Sequence, residues 1–585
     1  MGVPGFFSWL LRNKKWLYTN KLIIDNIDKK IKYLMLDTNC LLHPCVNYIL
    51  EKYKKGELEL ITNKPIRYQL EDLIWKKIKF NIDDMIKRLQ PEYIYIAIDG
   101  VAPMGKILQQ RQRRYRFLFD KKIKLNTNYI NEQIDKNIIV EEIGLDGINI
   151  PLQPISSIEL TPGTDYMERL HNNIEAYVKY LHTQNIKYIY SSYHVEGEGE
   201  HKILQYIKNH LNSNDIVVIY GLDADLLFLS LSIGEKNNLY IMREKQIFNN
   251  TPLDMDDYID YNYVEIAKLH EMIKKLNITT YDFIVICYLI GNDFLPGILT
   301  TDIKKGGLDK IITAYEKVKT KIPNTNIISI NNHNSQNKIY INHDFIKELF
   351  IELLWTEKWI WKNINRDKLI DRNVKPEIDE SNNKFNNINN DKNKNLKKFI
   401  SGESSNTDCL DKIEFSTSIE YYNYYFGIDD ISIDKNIIKN MVQEYITGIE
   451  WCIRYYLNDC ISWKWGYNYM ITPLISDIIK FYPTKIDIKK HDCELKPIEQ
   501  LILAIPPDTY KYVINTKIIN KLKKEKSIGY MFPESFDIDI NKESIFWKCQ
   551  VKIPMVEYEE YINIIKNINI NDKKNIKHAI ISNYT

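Results

Sequence analysis

The sequence predicts an α/β fold: a mainly parallel sheet flanked by helices, with a second, mostly helical region packed against it. Two observations carry that expectation. Four runs of β-formers, YLMLD at 33–37, YIYIAID at 93–99, KYIY at 187–190 and IVVIY at 216–220, are nearly continuous in apolar and aromatic residues, as strands are when helices cover both faces of their sheet. Each run ends in acidic or polar residues and leads toward an amphipathic stretch, the alternation that builds parallel strands. In such sheets ligands gather at the carboxyl ends of the strands. Asp37, Asp99 and Asp223 fall at or just beyond those ends.

Length and composition bound the rest. A chain of 585 residues accommodates three or four domains, or one large composite unit. With 44% apolar and 27% charged residues it reads as a soluble globular protein rather than a disordered or disulfide-stapled one. Lys and Arg number 79 against 77 acidic residues, a net charge of +2, so an anionic partner has to be met by a local basic patch. The eight cysteines form no C-x-x-C pair and no zinc-spaced cluster with histidine, which reads as reduced thiols. No apolar run approaches the roughly 20 residues that span a bilayer, and the N-terminus has no basic signal-like segment. No membrane partner is expected. Cytoplasmic placement is the expectation, while the lysine run KLKKEK at 521–526 keeps a nuclear one open.

Taken in chain order, the acidic motifs are LDTN with Asp37, AIDG with Asp99, GEGEHK with Glu198 and Glu200, GLDADL with Asp223 and Asp225, and GNDF with Asp293. Any one could be a turn former or helix cap. Gly197 is suited to a positive φ ahead of a helix beginning near His201, which sets both glutamates at a helix N-terminus. Asp223 and Asp225 share one face if that stretch is extended. Seven carboxylates at one mouth of a sheet repel one another unless cations neutralise them. With no His or Cys partner, oxygen donors alone favour Mg²⁺ or Mn²⁺. Two such ions suit hydrolysis of a phosphodiester.

Between the second and third strands lies KILQQRQRRYRFLFDKKIK at 106–124, with eight basic residues and one acidic. A helix there sets Lys106, Gln110, Arg113 and Arg114 on one face, at i, i+4, i+7 and i+8. Guanidinium forks match phosphate oxygens. A pocket that holds a terminal phosphate beside the scissile bond measures the cut from the strand's end, so exonucleolytic action is expected. A pocket closed on its far side admits a monophosphate and refuses a triphosphate or cap. Farther on, residues 382–395 (NNKFNNINNDKNKN) have no apolar period and read as a linker. The division expected is a catalytic α/β region at 1–365, an Asn/Lys-rich linker at 366–412, and a second region at 413–585 that is rich in Tyr and Trp, has helical periodicity over 439–456, and completes the active-site channel.

These motifs resemble the XRN family of 5′-to-3′ exoribonucleases. The likeness rests on GVPGFF (2–7), LDTNCLLH (36–43), IDGVAPMGKILQQRQRRYR (98–116), TPGT (161–164), GEGEHKI (197–203), GLDADL (221–226) and GNDFLP (291–296), in family order. A second block follows at 446–477, KPIEQLILAIPP (496–507) and MFPESFDID (531–539). The resemblance implies a PIN/FEN-like nuclease core in which Asp37, Asp99, Glu198, Glu200, Asp223, Asp225 and Asp293 bind two divalent ions. It implies that Lys106, Gln110, Arg113 and Arg114 hold the 5′-monophosphate of single-stranded RNA, and that His43 and either Trp463 or Trp465 stack on the terminal base. Lys106 is also a candidate for stabilising transition-state charge. Processive RNA decay by a monomer is the function implied. Three departures stand out: Glu196 in place of the usual proline, Gly297 in place of the usual histidine, and Met104-Gly105 in place of more polar residues. A short form without the long C-terminal extensions is expected, which leaves decapping and other partners open. Two alternatives compete: a flap or structure-specific DNA nuclease, and a catalytically silent protein that binds RNA ends.

Overall fold

A computed structural model of the chain describes residues 3, 5–12, 22–125, 154–234, 238–245, 259–303, 306–333, 336–372, 418–426, 435–539, 550–568 and 580–582. An eight-stranded sheet organises it. In chain order its strands are β1 (Ile23–Ile24), β2 (Tyr33–Asp37), β3 (Tyr93–Ala97), β4 (Lys187–Ser191), β5 (Ile216–Tyr220), β6 (Asn238–Glu244) and β7 (Tyr261–Glu265). Two outlying hairpin-like pairs follow, β8 (Ile328–His333) with β9 (Gln336–Ile341) and β10 (Asp537–Asp539) with β11 (Gln550–Lys552). The last strand, β12 (Ile580–Ser582), closes one edge of the large sheet.

The spatial order is β1-β7-β6-β5-β2-β3-β4-β12. The five central strands, β6 to β4, pair in parallel, and the edges are antiparallel. The four strands expected from the sequence are the four that surround the site. β6 joins them in parallel, and β12, from the second region, returns to pair with β4.

Alternation along these strands feeds two cores. Leu34, Leu36, Ile94, Ile96, Val218 and Tyr220 face the helices Thr38–Lys54, Ile66–Leu89 and Asp165–Thr183. Met35, Tyr95, Ala97, Val217 and Ile219 face the other way, toward the helices Asp225–Ser232, Thr280–Tyr288 and Lys435–Leu457. Burial on both faces explains the apolar continuity of the strands. A third core joins Val101, Met104 and Ile107 of the basic helix to the helix Pro497–Ala504, Tyr510 and Tyr561.

The expected linker at 366–412 is helical through Arg372, because the helix His343–Arg372 runs past its proposed start. The remainder, including 382–395, lies outside the described residues, as do Met1, with Gly2 and Pro4 of the opening motif GVPGFF, and the cysteines Cys409 and Cys549. The six described cysteines are free thiols. Among the described residues, no helix is long and apolar enough to cross a membrane.

Candidate active site

The strand order reverses between β2 and β5, and a crevice opens at the carboxyl ends of strands at such a switch point. Asp37 ends β2 there. It precedes the helix Thr38–Lys54 without making a side-chain capping bond, so its carboxylate is left for the crevice. Cys40 Sγ lies 3.0 Å from Asp37 Oδ2, while Oδ1 is buried without a hydrogen-bond partner. Asp99, two residues beyond β3, accepts from Asn39 Nδ2 and, at 2.7 Å, from the backbone N–H of Gly199. That N–H opens the helix Gly199–His210, for which Glu198 is the N-cap and whose first turn holds Glu200. A Cβ on Gly199 would stand 2.8 Å from Asp37 Oδ1 and 3.4 Å from Asp99 Oδ1, so glycine is what lets this helix end reach the strand ends. Gly197 has the positive φ expected of it, 102°.

Asp223 and Asp225 converge for a reason other than the expected one. The stretch is not extended: Ala224 is in the right-handed helical region and Asp225 opens the helix Asp225–Ser232. Asp293 is presented by a tight loop in which Asn292 Oδ1 accepts from the N–H groups of Phe294 and Leu295, both at 2.9 Å. The unusual Gly297 belongs to the same loop. A Cβ there would fall 1.9 Å from the carbonyl oxygen of Ile290, so the loop's closure excludes any side chain.

Electrostatics bind the seven into one site. Burial, then Asp99 and Asp223, pushes Asp37 up to about 7. Burial, then Asp293, does the same to Asp225, also up to about 7. Glu200 is raised by burial and then by Asp225, Glu198 and Asp223. Glu198 is raised by burial and by Asp99, against the opposing pull of Lys106. Lys106 Nζ sits 2.6 Å from Glu198 Oε2 and 2.8 Å from Asp293 Oδ2. For Asp293 burial pulls upward, but Lys106, the N-terminal amine and Arg113 together lower the pKa. Three buried carboxylate oxygens, Asp37 Oδ1, Glu200 Oε2 and Asp225 Oδ1, have no hydrogen-bond partner. Among the described residues, no group of three His, Cys, Asp or Glu side chains is closed up to hold an ion.

The basic helix runs over Met104–Leu125. Its first turn is capped from the second region: Met104 N–H donates to the carbonyl of Trp463, and Gly105 N–H to that of Trp465, both at 2.9 Å. Gly105 is closely packed, since a Cβ there would meet Phe294 at 3.1 Å, and Met104 is buried in the third core. One face carries Lys106, Gln110, Arg113 and Arg114. Arg114 bonds Thr161 Oγ1, and its Nε and Gln110 Oε1 are buried without partners. Burial and the neighbouring Arg113 push Arg114 down to about 9, which leaves it charged at neutral pH. His43 feels the same pair of arginines. Burial of the imidazole, then Arg113 and Arg114, lowers its pKa to about 4.

Trp465 stacks on Trp451 at 4.7 Å and is wedged against Gly448 and Gly105. Trp463 is half-buried, and among the described residues its ring makes no aromatic or cation–π contact. Sequence reasoning missed Tyr455 and Tyr456, whose hydroxyls donate to Glu198 Oε1 at 2.9 Å and to Asp225 Oδ2 at 2.8 Å. Nothing in the sequence separates them from core tyrosines.

Comparison with known proteins gives the family. Residues 1–245 match the family model described as XRN 5′-3′ exonuclease N-terminus, and residues 274–375 and 360–575 match the one described as Xrn1 helical domain. The chain belongs to the XRN family. Its curated relatives include 5′-3′ exoribonuclease 1 of Schizosaccharomyces pombe, 25% identical over 97% of this chain and 48% of that protein. The human 5′-3′ exoribonuclease 1 is 25% identical over 98% of this chain and 34% of its own length. The 5′-3′ exoribonuclease 2 homolog of Drosophila melanogaster is 24% identical over 95% and 70% respectively. The chain thus spans half or less of the first two. The two XRN matches fall on the two regions that meet at the crevice.

Proposed function

We propose that this chain is a divalent-metal-dependent 5′-to-3′ exoribonuclease that degrades single-stranded RNA processively from a 5′-monophosphate, releasing mononucleotides. The observation that carries the reading is the position of Lys106. It bonds two carboxylates of the acidic cluster and opens the helix face that bears Gln110, Arg113 and Arg114. Hydrolytic chemistry and end recognition are therefore contiguous, as a nuclease that measures from the strand's end requires. The names of the relatives, all exoribonucleases, support RNA over DNA.

The donor set fits hard cations. Its donors are carboxylate oxygens, and three of them are buried and unpartnered. Asp37, Asp99, Glu198, Glu200, Asp223, Asp225 and Asp293 would hold two Mg²⁺ or Mn²⁺ ions. When bound, such ions supply an activated water and neutralise charge on the phosphodiester. The chain's own residues do the rest. Gln110, Arg113 and Arg114 grip the terminal phosphate, and Lys106 adds positive charge where the transition state is most anionic. His43, neutral at physiological pH, and Trp463 provide flat faces for the terminal base. Stacking tolerates any base and so suits stepwise movement along RNA. Trp465 is committed to packing.

A 3′-labelled RNA carrying a 5′-monophosphate, triphosphate, cap or hydroxyl, incubated with Mg²⁺ or EDTA, tests this. Loss of the monophosphorylated RNA alone, without intermediates and blocked by EDTA, is expected, and Asp225→Ala should bind RNA without cutting it. Internal cuts independent of the 5′ end would instead indicate a structure-specific nuclease. Tight binding with no cleavage by the parent chain would leave an RNA-end-binding protein.

A further inference from the structure

The last turn of the helix Lys435–Leu457 sends two adjacent side chains out of the second region and onto acidic residues of the nuclease core. Tyr455 Oη donates to Glu198 Oε1 and Tyr456 Oη to Asp225 Oδ2. Adjacent helical residues point about 100° apart, so two carboxylates have to flank the helix end for both bonds to form. Burial alone does not dictate them. The neighbouring Tyr288, 4.6 Å from the Tyr456 ring, is buried with its hydroxyl unpartnered. A hydroxyl fixed to one carboxylate oxygen decides where the other points. Asp225 keeps Oδ1 buried and free, and the second oxygen of Glu198 meets Lys106.

The helix end is itself clamped by the helix that bears the glutamates. Lys208 Nζ donates to the Leu457 carbonyl at 3.1 Å, and Gln205 Nε2 donates to that of Asn458 at 2.6 Å. The Tyr455 ring lies between His201 at 3.9 Å and Trp451 at 4.8 Å, and Trp451 stacks on Trp465. Because the Trp465 carbonyl caps the basic helix at Gly105, one aromatic column runs from the carboxylates to the phosphate-binding helix.

We propose that Tyr455 and Tyr456 are positioning residues, which hold Glu198 and Asp225 in the orientation that receives the divalent ions; the inference rests on the nuclease reading above. Tyr455→Phe and Tyr456→Phe each remove one oxygen and keep the stacked rings, and Tyr288→Phe is the packing control. Mn²⁺ binding to the full chain without RNA, followed by calorimetry, is measured beside the Mn²⁺ concentration that gives half-maximal cleavage. Both quantities should weaken about tenfold in the Tyr455 and Tyr456 variants. The melting temperature of the ion-free Tyr455 and Tyr456 variants should fall by no more than about 2 °C, and the Mn²⁺ affinity of Tyr288→Phe should be that of the parent. Affinity within about twofold of the parent overturns the proposal. A mutant cycle guards against misfolding: Tyr455→Phe should add nothing in a Glu198→Ala background, which has no acceptor for the hydroxyl, and a full additional loss also overturns it. A parent chain that binds no Mn²⁺ would overturn the nuclease reading itself, an outcome distinct from a parent that binds and variants that bind equally well.

Discussion

Arg111 and Arg113 are two residues apart on the basic helix and are assigned opposite work, which a paired substitution tests. Arg111 is 1% exposed. Its guanidinium donates to the carbonyls of Leu503, at 3.0 Å, and Met531, and lies over the rings of Tyr115 at 4.8 Å and Phe532 at 5.7 Å. Arg111→Met keeps the length of the side chain and removes the donors. Two charge-assisted hydrogen bonds are worth roughly 1.5–3 kcal/mol each, and the better cation–π contact adds about 0.5–1 kcal/mol. Against this stands the relief of no longer burying a charge, several kcal/mol in its own right. The balance favours destabilisation because the two acceptors are main-chain carbonyls that stay behind, unpaired, in the core. A net loss of about 2–4 kcal/mol follows. With an unfolding entropy near 2.1 cal/mol/K per residue, that is roughly 2–3 °C for a chain of 585 residues melting as one unit. Arg113, exposed on the other face, should cost no more than about 0.5 kcal/mol as Arg113→Met. Urea titrations followed by tryptophan fluorescence compare the midpoints. A parent-like midpoint for Arg111→Met, or an equal loss for Arg113→Met, would refute the division of the helix into a structural and a ligand-binding face.

Arg113→Ala should bring the ratio of cleavage rates on 5′-phosphorylated and 5′-hydroxyl RNA toward one, and an unchanged ratio would remove Arg113 from the pocket. The His43 imidazole, lowered to about 4 by burial and by Arg113 and Arg114, should titrate below 5 by NMR. Both guanidiniums penalise the imidazolium, so Arg113→Ala should move that value upward, and a parent value near the ordinary 6.5 sinks the assignment. Gly448→Ala sets a helix-propensity gain of about 1 kcal/mol against a methyl 2.6 Å from Trp465 Cζ2 and 2.8 Å from Leu295 Cδ2. Because the indole is held between Trp451 and Gly105, overpacking of about 1–3 kcal/mol should win. The melting temperature should fall, and a rise would show that the indole yields.

The central strands were legible because burial on both faces writes itself into the sequence as unbroken β-formers. β6, NLYIMRE, is parallel too but begins with Asn and ends with Arg-Glu, where side chains turn to polar partners. β1 and β12, two and three residues long, owe their existence to the edges they pair with rather than to any pattern of their own. The acidic motifs were legible because four of the five carry a glycine beside the carboxylates, and in the fifth Asn39, within the first turn of the helix after β2, donates to Asp99. The convergence of Asp223 and Asp225 was expected from strand alternation, and that argument fails once Ala224 adopts helical angles. Nothing in WKW distinguishes its two indoles. Gly448, fifteen residues before Trp463 in the chain, leaves room for the Trp465 ring, and this supports the assignment of Trp463 to the base under the proposed function.

What the sequence could not convey is how little of the site the sheet builds alone. Strand ends can bring Asp37, Asp99 and Asp223 near one another, but they cannot orient Glu198 or Asp225, and they cannot cap the basic helix. Those tasks fall to the second region: hydroxyls from Tyr455 and Tyr456, carbonyls from Trp463 and Trp465, and the side chain of Gln500, which accepts from Ala102 N–H at 2.6 Å just ahead of that helix. A helix N-terminus leaves up to four N–H groups unpaired. Here two of them are satisfied by the carbonyls of Trp463 and Trp465, so under the proposed function, in which Trp463 meets the terminal base, a shift of that segment would loosen the phosphate pocket as it moved the ring. On that proposal, grip on the base and grip on the phosphate are mechanically one element. The aromatic column through Trp451 and Tyr455 extends that element to Glu198. Under the proposed function, the contacts that would hold the strand's terminus and those that reach Glu198 are then one packed set, so cleavage and possession of the end rest on the same side chains.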